Sequence, residues 1–259
     1  MLVTIESIIR IVTAVLTITQ KDSTKFHPKD VERLRTNKWW TERYLLVSKS
    51  DDEAFKSLVK CLEWRKFNGI NEFNDNYFRD VQQPSRLLFN WNKQAYFLIL
   101  IEIVFVEFAD TSGRPVFWAT LSLYTKSYLT PKIKQLVVYL FEKADRGTKN
   151  EGWAIVLDAS SVGYLNLDMD FLNFILEVLT MYYPRGPKYI LLLELPYLYY
   201  PAANLVFNFL GEDIKSRVKY INKDELTQYI DAKNIPDNLK AQSGGDTVLG
   251  FLPNILGWY

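Results

Sequence analysis

The stretch that decides the fold is residues 153–193, which read WAIVLDASSVGYLNLDMDFLNFILEVLTMYYPRGPKYILLL. It opens and closes on continuous apolar runs, residues 153–157 and 189–193, which are typical of parallel strands covered on both faces. Between them, apolar side chains recur at three- and four-residue steps from Phe171 to Tyr182, which predicts one buried helix face. A strand, a helix and a strand in this order form a right-handed crossover with both strands parallel in one sheet. The stretch therefore predicts an α/β domain.

The same alternation of elements continues on both sides of this unit. Residues 110–115 are rich in turn formers, and residues 116–123 after them have the composition of a strand. Pro131 opens the next apolar stripe and suits the first turn of a helix, where its missing amide would be unpaired in any case. Downstream, residues 217–221 predict a further strand, and Asn222 could cap a short helix after it. We expect a mostly parallel sheet flanked by helices.

Residues 28–71 predict a helical layer in front of this domain. Ser50 and Glu53 have the spacing of a capping box, so a helix should begin near Asp51. Its apolar side chains also recur at three- and four-residue steps and would pack onto the larger body. The expected organisation is an N-terminal extension at 1–27, a helical region at 28–80, the α/β domain at 81–246 and a tail at 247–259.

The composition excludes several classes of function. With 259 residues and 48% hydrophobic side chains, the chain can bury a large core, so global disorder is excluded. A net charge of +1 gives no overall basic surface, so we expect no nucleic-acid partner. The single cysteine, Cys61, cannot form an internal disulfide, which favours a cytoplasmic protein.

Two apolar stretches are too short or too polar to cross a membrane. Residues 1–19 are interrupted by Glu6 and Arg10, and they lack the basic start of a signal peptide. Residues 95–109 contain two glutamates and fall short of the ~20 apolar residues that a spanning helix needs. We interpret the second stretch as a buried or edge strand.

The chain offers little of the chemistry that catalysis needs. Its only histidine, His27, lies in a polar stretch, and one histidine with one cysteine cannot supply a zinc site or a nucleophile–imidazole pair. Asp158 at the end of a strand supports a weaker alternative, a hydrolase that uses Asp158 and Ser160. Asp168 and Asp170 are better explained as caps of the crossover helix. We expect no catalytic residue, no metal and no cofactor.

A segment without acidic or basic side chains follows the second strand, LPYLYYPAANLVFNFLG at residues 195–211. Its prolines, Pro196 and Pro201, prevent a long helix, and the apolar residues after them would form a short helix that closes a cavity in water. Tyrosine and phenylalanine can also lie among lipid headgroups, so such a gate could open at a membrane. An ordinary core helix is the alternative. The gate residues are Tyr197, Tyr199, Tyr200, Leu205, Val206 and Phe209.

Short motifs occur along the chain in one fixed order. They lie at residues 62–66, 113–116, 156–158, 182–184, 195–197 and 235–239, the last followed by Gly244 and Gly245. In this order the chain resembles the CRAL-TRIO family, which includes the tocopherol-transfer, retinaldehyde-binding and yeast-type phosphatidylinositol-transfer proteins. Residues 30–34 and 167–171 are most similar to the branch in which this domain precedes a major-sperm-protein domain. The resemblance implies a mixed, mostly parallel sheet with a helical N-terminal region and a mobile gate helix.

The resemblance also implies a lipid pocket between the sheet and the gate helix. Its walls would be equally apolar in a filled core, so that alternative stays open. Basic residues near the gate would face anionic lipid, with a solvated charged edge as the alternative. The pocket residues are Phe117, Ala119, Leu121, Ile155, Leu157, Leu191, Leu193, Phe207 and Leu210, and the basic patch is Arg185, Lys188, Lys215, Arg217 and Lys219.

Three features depart from the family pattern. Arg185 stands where phosphatidylinositol-binding members have a glutamate, which argues against selective inositol recognition. Residues 240–243 separate Leu239 from the paired glycines, and residues 90–108 look like extra material before the first strand. We hypothesise that these insertions and the first 26 residues reflect a faulty gene model, which peptides spanning them in a digest of the natural protein would refute.

Together these patterns favour a non-enzymatic protein that binds a small hydrophobic lipid and transfers it between membranes or senses it. We expect a cytoplasmic monomer, peripheral to membranes, with transient membrane contact. The alternative is a membrane-recruitment or protein-interaction module with a vestigial pocket.

Overall fold

The computed structural model describes residues 3–78, 104–124, 126, 130–148, 151–208 and 211–240. Its strands are β1 (Val104–Ala109), β2 (Pro115–Thr120), β3 (Trp153–Asp158), β4 (Pro187–Leu193) and β5 (Val218–Ile221). They form one five-stranded sheet in the order β1-β2-β3-β4-β5. β1 is antiparallel to β2, and the other neighbours are parallel. The expected mixed, mostly parallel α/β architecture is confirmed.

The described helices surround this sheet in two groups. Those between residues 3 and 78 are α1 (Ile5–Lys21), α2 (Pro28–Thr36), α3 (Lys38–Val47) and α4 (Asp51–Phe67). Those that connect the strands are α5 (Thr130–Gly147), α6 (Met169–Glu177), α7 (Tyr200–Asn208) and α8 (Gly211–Lys215). A single π-helical turn, Val178–Tyr182, continues α6 toward β4.

Local sequence signals place several of these elements correctly. The crossover formed by β3, α6 and β4 is confirmed, with Ile155 of β3 opposite Ile190 of β4 in a parallel pair. α4 begins at Asp51, and the Ser50 hydroxyl accepts a hydrogen bond from the Glu53 amide at 3.2 Å. The helix expected after Asn222 is instead a 3-10 helix, although its capping hydrogen bond is present.

Two strand predictions need correction. β2 ends at Thr120, and Leu121 lies in a 3-10 turn rather than on the strand, so it does not alternate with Phe117 and Ala119. Residues 104–108 belong to β1, which pairs with β2 along the edge of the sheet. The interpretation of 90–108 as extra material is therefore wrong from residue 104 onward, while the edge-strand interpretation is confirmed there. Residues 90–103 lie outside the described part.

The sheet separates two apolar cores because side chains alternate between its faces. On one face, Phe117 and Ile155 join a core that also contains residues from α1 to α5; we call this the helical face. On the other face, Trp118 and Val156 pack beneath the short 3-10 turns between residues 223 and 239. The segment at residues 195–211 contributes Phe207 to the helical face.

α1 contributes to the core of the helical face. Its residues Ile8, Ile11 and Val15 are buried there, and the Thr4 hydroxyl caps its first turn. The described part of the expected N-terminal extension is thus packed onto the rest of the chain. That the first 26 residues come from a faulty gene model stays a hypothesis.

A buried ionic cluster joins the N-terminal helices to α5. Glu142 of α5 accepts hydrogen bonds from Arg65 Nη1 of α4 and from the Tyr183 hydroxyl, both at 2.8 Å. Asp145, one turn later, accepts a hydrogen bond from Arg43 Nη1 of α3 at 2.7 Å. Burial alone would raise the pKa of Glu142, but the guanidiniums of Arg65 and Arg33 outweigh it and hold that pKa well below its usual range. This cluster fixes the N-terminal helices to the sheet domain.

Candidate functional site

The gate segment leaves β4 as a 3-10 turn, Tyr197–Tyr199, and continues as α7. Pro201 lies in the first turn of α7, where a missing amide breaks no helical hydrogen bond. The helix therefore includes Pro201 instead of starting after it. Phe209 and Leu210, expected at the gate and in the pocket, lie outside the described residues.

Aromatic contacts attach α7 to β5. The Tyr220 hydroxyl donates a hydrogen bond to Asn204 Oδ1 at 2.8 Å, and the Tyr220 ring stacks on the Tyr200 ring with 4.8 Å between centroids. The 3-10 turn before α7 faces solvent, as the exposed fractions of Tyr197 (86%) and Leu198 (80%) show. The gate thus combines one attached end with one exposed aromatic end.

An incompletely buried apolar layer lies on the helical face. Leu157 of β3 and Phe207 of α7 both pack against the core on this face while remaining only partly buried. α6 contains no fully buried residue although most of its side chains are apolar. Part of each of these side chains is therefore accessible to solvent. We call this set the half-buried layer; it consists of Leu157, Phe171, Phe174, Ile175, Leu176 and Phe207.

The expected pocket walls divide between the two faces of the sheet. Phe117, Ala119 and Ile155 lie on the helical face and are buried. Leu191 and Leu193 lie in the core of the opposite face, so they do not share a pocket with the other three. The reason is register: Leu157 lies opposite Leu192, and strand neighbours in register share a face. The β4 residues on the helical face are therefore Ile190 and Leu192.

The expected basic patch is only partly assembled. Arg185, Lys188 and Arg217 line one polar cleft of about 380 Å³, which we call the basic cleft. Lys215 pairs instead with Glu212, at 3.9 Å, and Lys219 donates to the Tyr229 hydroxyl, at 3.3 Å. Neither Lys215 nor Lys219 lines the cleft, so the patch does not extend to them. The complete lining is Trp39, Arg114, Glu151, Arg185, Lys188 and Arg217.

The basic cleft has one cation more than the carboxylates that pair with its arginines. Asp213 Oδ1 accepts hydrogen bonds from Arg185 Nη1 at 2.9 Å and from Arg217 Nη2 at 2.8 Å, so two guanidiniums share one carboxylate. Burial lowers the pKa of Arg217, and Asp213 offsets this only in part. Lys188 is exposed and has no ion pair among the described residues. The cleft can therefore attract an anion.

Sequence reasoning missed three members of the cleft, Arg114, Glu151 and Trp39. Arg114 immediately precedes β2, just as Arg185 and Arg217 come shortly before β4 and β5. Parallel strands bring the residues that precede them to one edge of the sheet, so this position could have been inferred for Arg114. Trp39 comes from α3, and no local sequence signal places that helix beside the sheet edge.

A second cavity, of about 230 Å³, lies between α4, α5 and α6. Apolar side chains dominate its wall, including Trp64, whose ring stacks on Tyr182 with 3.9 Å between centroids. Lys134 lies at its rim with Nζ 4.9 Å from the centre of the Phe174 ring. Neither this cavity nor the basic cleft is lined by a residue of the gate segment.

The acidic residues singled out in the sequence have structural roles. Asp168 caps α6, because its Oδ1 accepts hydrogen bonds from the amides of Asp170 and Phe171 and its Oδ2 accepts one from the Tyr124 hydroxyl at 2.6 Å. The Tyr124 hydrogen bond, with these amides, lowers the pKa of Asp168, and burial with this contact raises the pKa of Tyr124 to about 12. Asp158 Oδ1 accepts a hydrogen bond from the Ser160 amide at 3.0 Å in a local turn.

Other functional groups are sparse in the part of the chain that the structure describes. There, His27 caps α2 and contacts Glu72, and no group of three or more histidine, cysteine or acidic side chains is arranged to hold a metal ion. Within the same ranges, no helix combines the length and the apolar character needed to cross a membrane.

Comparison with known proteins agrees with this fold. The solved structure of Sfh5 is similar with a TM-score of 0.60 and 16% sequence identity, over 88% of this chain and 85% of that one. Tyrosine-protein phosphatase non-receptor type 9 of Mus musculus and of Homo sapiens is 22% identical over 167 residues. The match covers 60% of this chain and 28% of each phosphatase, so the chain spans little more than a quarter of those relatives.

A family match identifies the domain itself. The CRAL/TRIO domain family matches residues 102–240, which is more than half of the chain. The matched segment starts two residues before β1 and ends at the last described residue, so it includes the whole sheet, the gate segment and the basic cleft except Trp39. The chain therefore belongs to the CRAL/TRIO domain family.

Proposed function

We propose that this chain holds one hydrophobic lipid between the helical face of the sheet and α7, and that it releases or exchanges the lipid at a membrane. CRAL-TRIO proteins generally bind hydrophobic lipids without catalysis, which supports the general class. The observation that carries the proposal is the half-buried layer on the helical face, to which the uncharged segment contributes Phe207. Similarity to the branch that precedes a major-sperm-protein domain remains a prediction.

The half-buried layer supplies the binding energy. Leu157 and Phe207 leave apolar surface uncovered on the helical face, and a lipid chain would remove that surface and its own from water. Burial contributes roughly 0.8 kcal/mol per methylene, so ten methylenes would contribute roughly 8 kcal/mol before the cost of ordering the chain. The layer discriminates poorly between chains of similar length, because each methylene adds so little.

An exposed apolar surface next to the gate supports contact with a bilayer. Tyr164 is 83% exposed and, with Leu167 and Met169, follows β3, while the exposed Tyr197 and Leu198 follow β4. Because β3 and β4 are parallel neighbours, these residues lie at the same edge of the sheet. Aromatic and aliphatic side chains of this kind can enter the headgroup region. We call Tyr164, Leu167, Met169, Tyr197 and Leu198 the apolar tip, and we propose a cytoplasmic monomer that binds membranes transiently through it.

The apolar tip also favours a second function, recruitment to a membrane. Neither described cavity lies beneath the gate, and an exposed aromatic surface suffices to recruit a protein to a membrane without any cargo. In that case the chain would be a recruitment module with a vestigial pocket.

Bound lipid distinguishes the two functions. We expect native mass spectrometry of the purified full chain to show one lipid-sized adduct per molecule, and organic extraction to identify it. A chain that stays free of lipid after incubation with mixed-lipid vesicles would support recruitment and exclude the carrier.

Substitution at Phe207 tests the gate. Phe207→Asp places a charge in the half-buried layer, so we expect lipid transfer between vesicles to slow at least ten-fold with an unchanged circular dichroism spectrum. Asn204→Asp is the matched control, because it adds the same charge on an exposed position of α7 and can still accept the Tyr220 hydrogen bond. Equal transfer rates for the two variants would count against the gate.

A further inference from the structure

The apolar tip and the basic cleft lie at opposite edges of the parallel sheet. Arg114, Arg185 and Arg217 come before β2, β4 and β5, and Glu151 comes before β3. Every residue of the tip comes after β3 or after β4. The strands β2 to β5 are parallel and in register. The cleft therefore lies at the end of the sheet where these strands begin, the amino edge, and the tip lies at the end where they stop, the carboxyl edge.

The distance between these edges decides what one membrane can reach. β4 has seven residues and joins the two edges directly, and at ~3.3 Å per residue it spans about 20 Å. Charges at physiological ionic strength are screened beyond about 8 Å. Consider strands that are perpendicular to a bilayer in which the tip is inserted. The cleft is then too far from that bilayer for its cations to be attracted to the headgroups.

The cleft has its own affinity for an anionic surface. Its four cations face three carboxylates, those of Asp110, Glu151 and Asp213, and Lys188 has no ion pair among the described residues, so one cation is in excess. Trp39 lies on the same lining, and indole rings favour the headgroup region of a bilayer. An excess of cations beside an indole is complementary to anionic lipid headgroups.

We propose that the chain bridges two membranes, with the apolar tip inserted in one bilayer and the basic cleft against the anionic headgroups of a second. The inference rests on the proposed function only for membrane insertion by the tip, and it needs no lipid in the pocket. A bridge of this kind would hold donor and acceptor membranes one domain apart.

Clustering of vesicles tests the bridge. The full chain is mixed with neutral phosphatidylcholine vesicles and with vesicles that contain one quarter phosphatidylserine, each labelled with one dye of an energy-transfer pair. We expect energy transfer between the two populations with the wild-type chain and its loss in about 0.5 M salt, which screens the cleft.

Matched charge reversals identify the surface responsible. Near an anionic bilayer each unit of charge changes binding about five-fold, so Lys188→Glu should reduce clustering roughly 5- to 30-fold. Lys219→Glu makes the same charge change on an exposed residue outside the cleft, and it should leave clustering within two-fold of wild type. Leu198→Asp should abolish clustering while the chain still binds phosphatidylserine vesicles through the cleft.

Two outcomes would overturn the bridge: no clustering by the wild-type chain, or equal clustering by the two lysine variants. Native mass spectrometry on the same preparation separates the bridge from the proposed lipid carrier. Clustering without bound lipid would refute the carrier alone. Bound lipid without clustering would refute the bridge alone.

Discussion

Removing the charge of Glu142 should destabilise the protein by breaking the ionic cluster that joins the N-terminal helices to α5. In Glu142→Gln the side chain keeps its shape but loses one acceptor atom. Oε2 of Glu142 accepts hydrogen bonds from Arg65 Nη1 and from the Tyr183 hydroxyl, both at 2.8 Å. An amide group at that position would present hydrogen atoms to two donors.

The expected loss follows from the burial of Arg65. Its side chain is fully buried, and after the substitution Asp30, at 3.0 Å, would be its one remaining ion-pair partner among the described residues. Breaking a buried ion pair by changing one partner costs about 3–5 kcal/mol, because the other charge stays buried without compensation. Since Asp30 remains, we expect the free energy of unfolding to fall by about 3 kcal/mol.

Urea unfolding followed by circular dichroism measures this loss at neutral pH. Glu63→Gln is the matched control, because Glu63 is a solvent-exposed residue of α4 that pairs with Lys25 at 3.1 Å. An exposed pair contributes about 0–1 kcal/mol. If Glu142→Gln cost no more than Glu63→Gln, the ionic cluster would not hold the two parts of the protein together.

Acid should reveal the same interaction with a defined sign. The pKa of Glu142 is well below that of an unfolded glutamate, about 4.3, despite burial that would raise it, because Arg65 and its neighbours favour the charged form. A carboxyl with a lowered pKa stabilises the folded state above the unfolded pKa, and this contribution is lost as the pH falls toward the folded pKa. The difference in unfolding free energy between wild type and Glu142→Gln should therefore shrink below about pH 4. A difference that grows in acid would refute the reasoning.

Two further predictions concern the pocket and the cap of α6. Leu157→Trp should fill the space next to the half-buried layer and reduce co-purified lipid at least five-fold, as measured by mass spectrometry. Leu191→Met, on the opposite face, should leave the lipid content unchanged. Equal lipid content in these two variants would argue against a pocket on the helical face. Asp168→Ala removes the cap of α6 and the partner of Tyr124, so it should lower the unfolding free energy by about 1–2 kcal/mol in urea, and a loss below about 0.3 kcal/mol would contradict the capping role.

Local signals made much of the fold predictable. The capping box at Ser50 marks the start of α4 because its hydrogen bonds involve residues close in sequence. The crossover of β3, α6 and β4 follows from two apolar runs around one helical stripe. Such signals depend on spacing along the chain, and spacing is all that a single sequence provides.

Strand register was not predictable in the same way. β4 is apolar at every position from Ile190 to Leu193, so no alternation indicates which side chains face the helices. A shift of one residue in the pairing exchanges the two faces of a strand. The pairing of β3 with β4 shifts register between Trp153 and Ala154, and the pairing after this shift puts Leu192 on the helical face. The basic cleft was likewise predictable only in part, because Trp39 reaches it from a helix distant in sequence.

The contrast between two attachments indicates which part of the protein moves in lipid exchange. Among the described contacts, α7 is held by the hydrogen bond between Tyr220 and Asn204, by the stacking of Tyr200 on Tyr220, and by the partly buried Phe207. The hydrogen bond and the stacked rings contribute about 1 kcal/mol each. Detaching the N-terminal helices would instead expose the apolar core that they share with α5 and β3, at about 1.5–3 kcal/mol for each large side chain. Contact of Tyr197 and its neighbours with a bilayer can offset the first cost but not the second, because the second grows with every core side chain that is exposed. The lipid should therefore leave past α7 while the N-terminal helices stay in place.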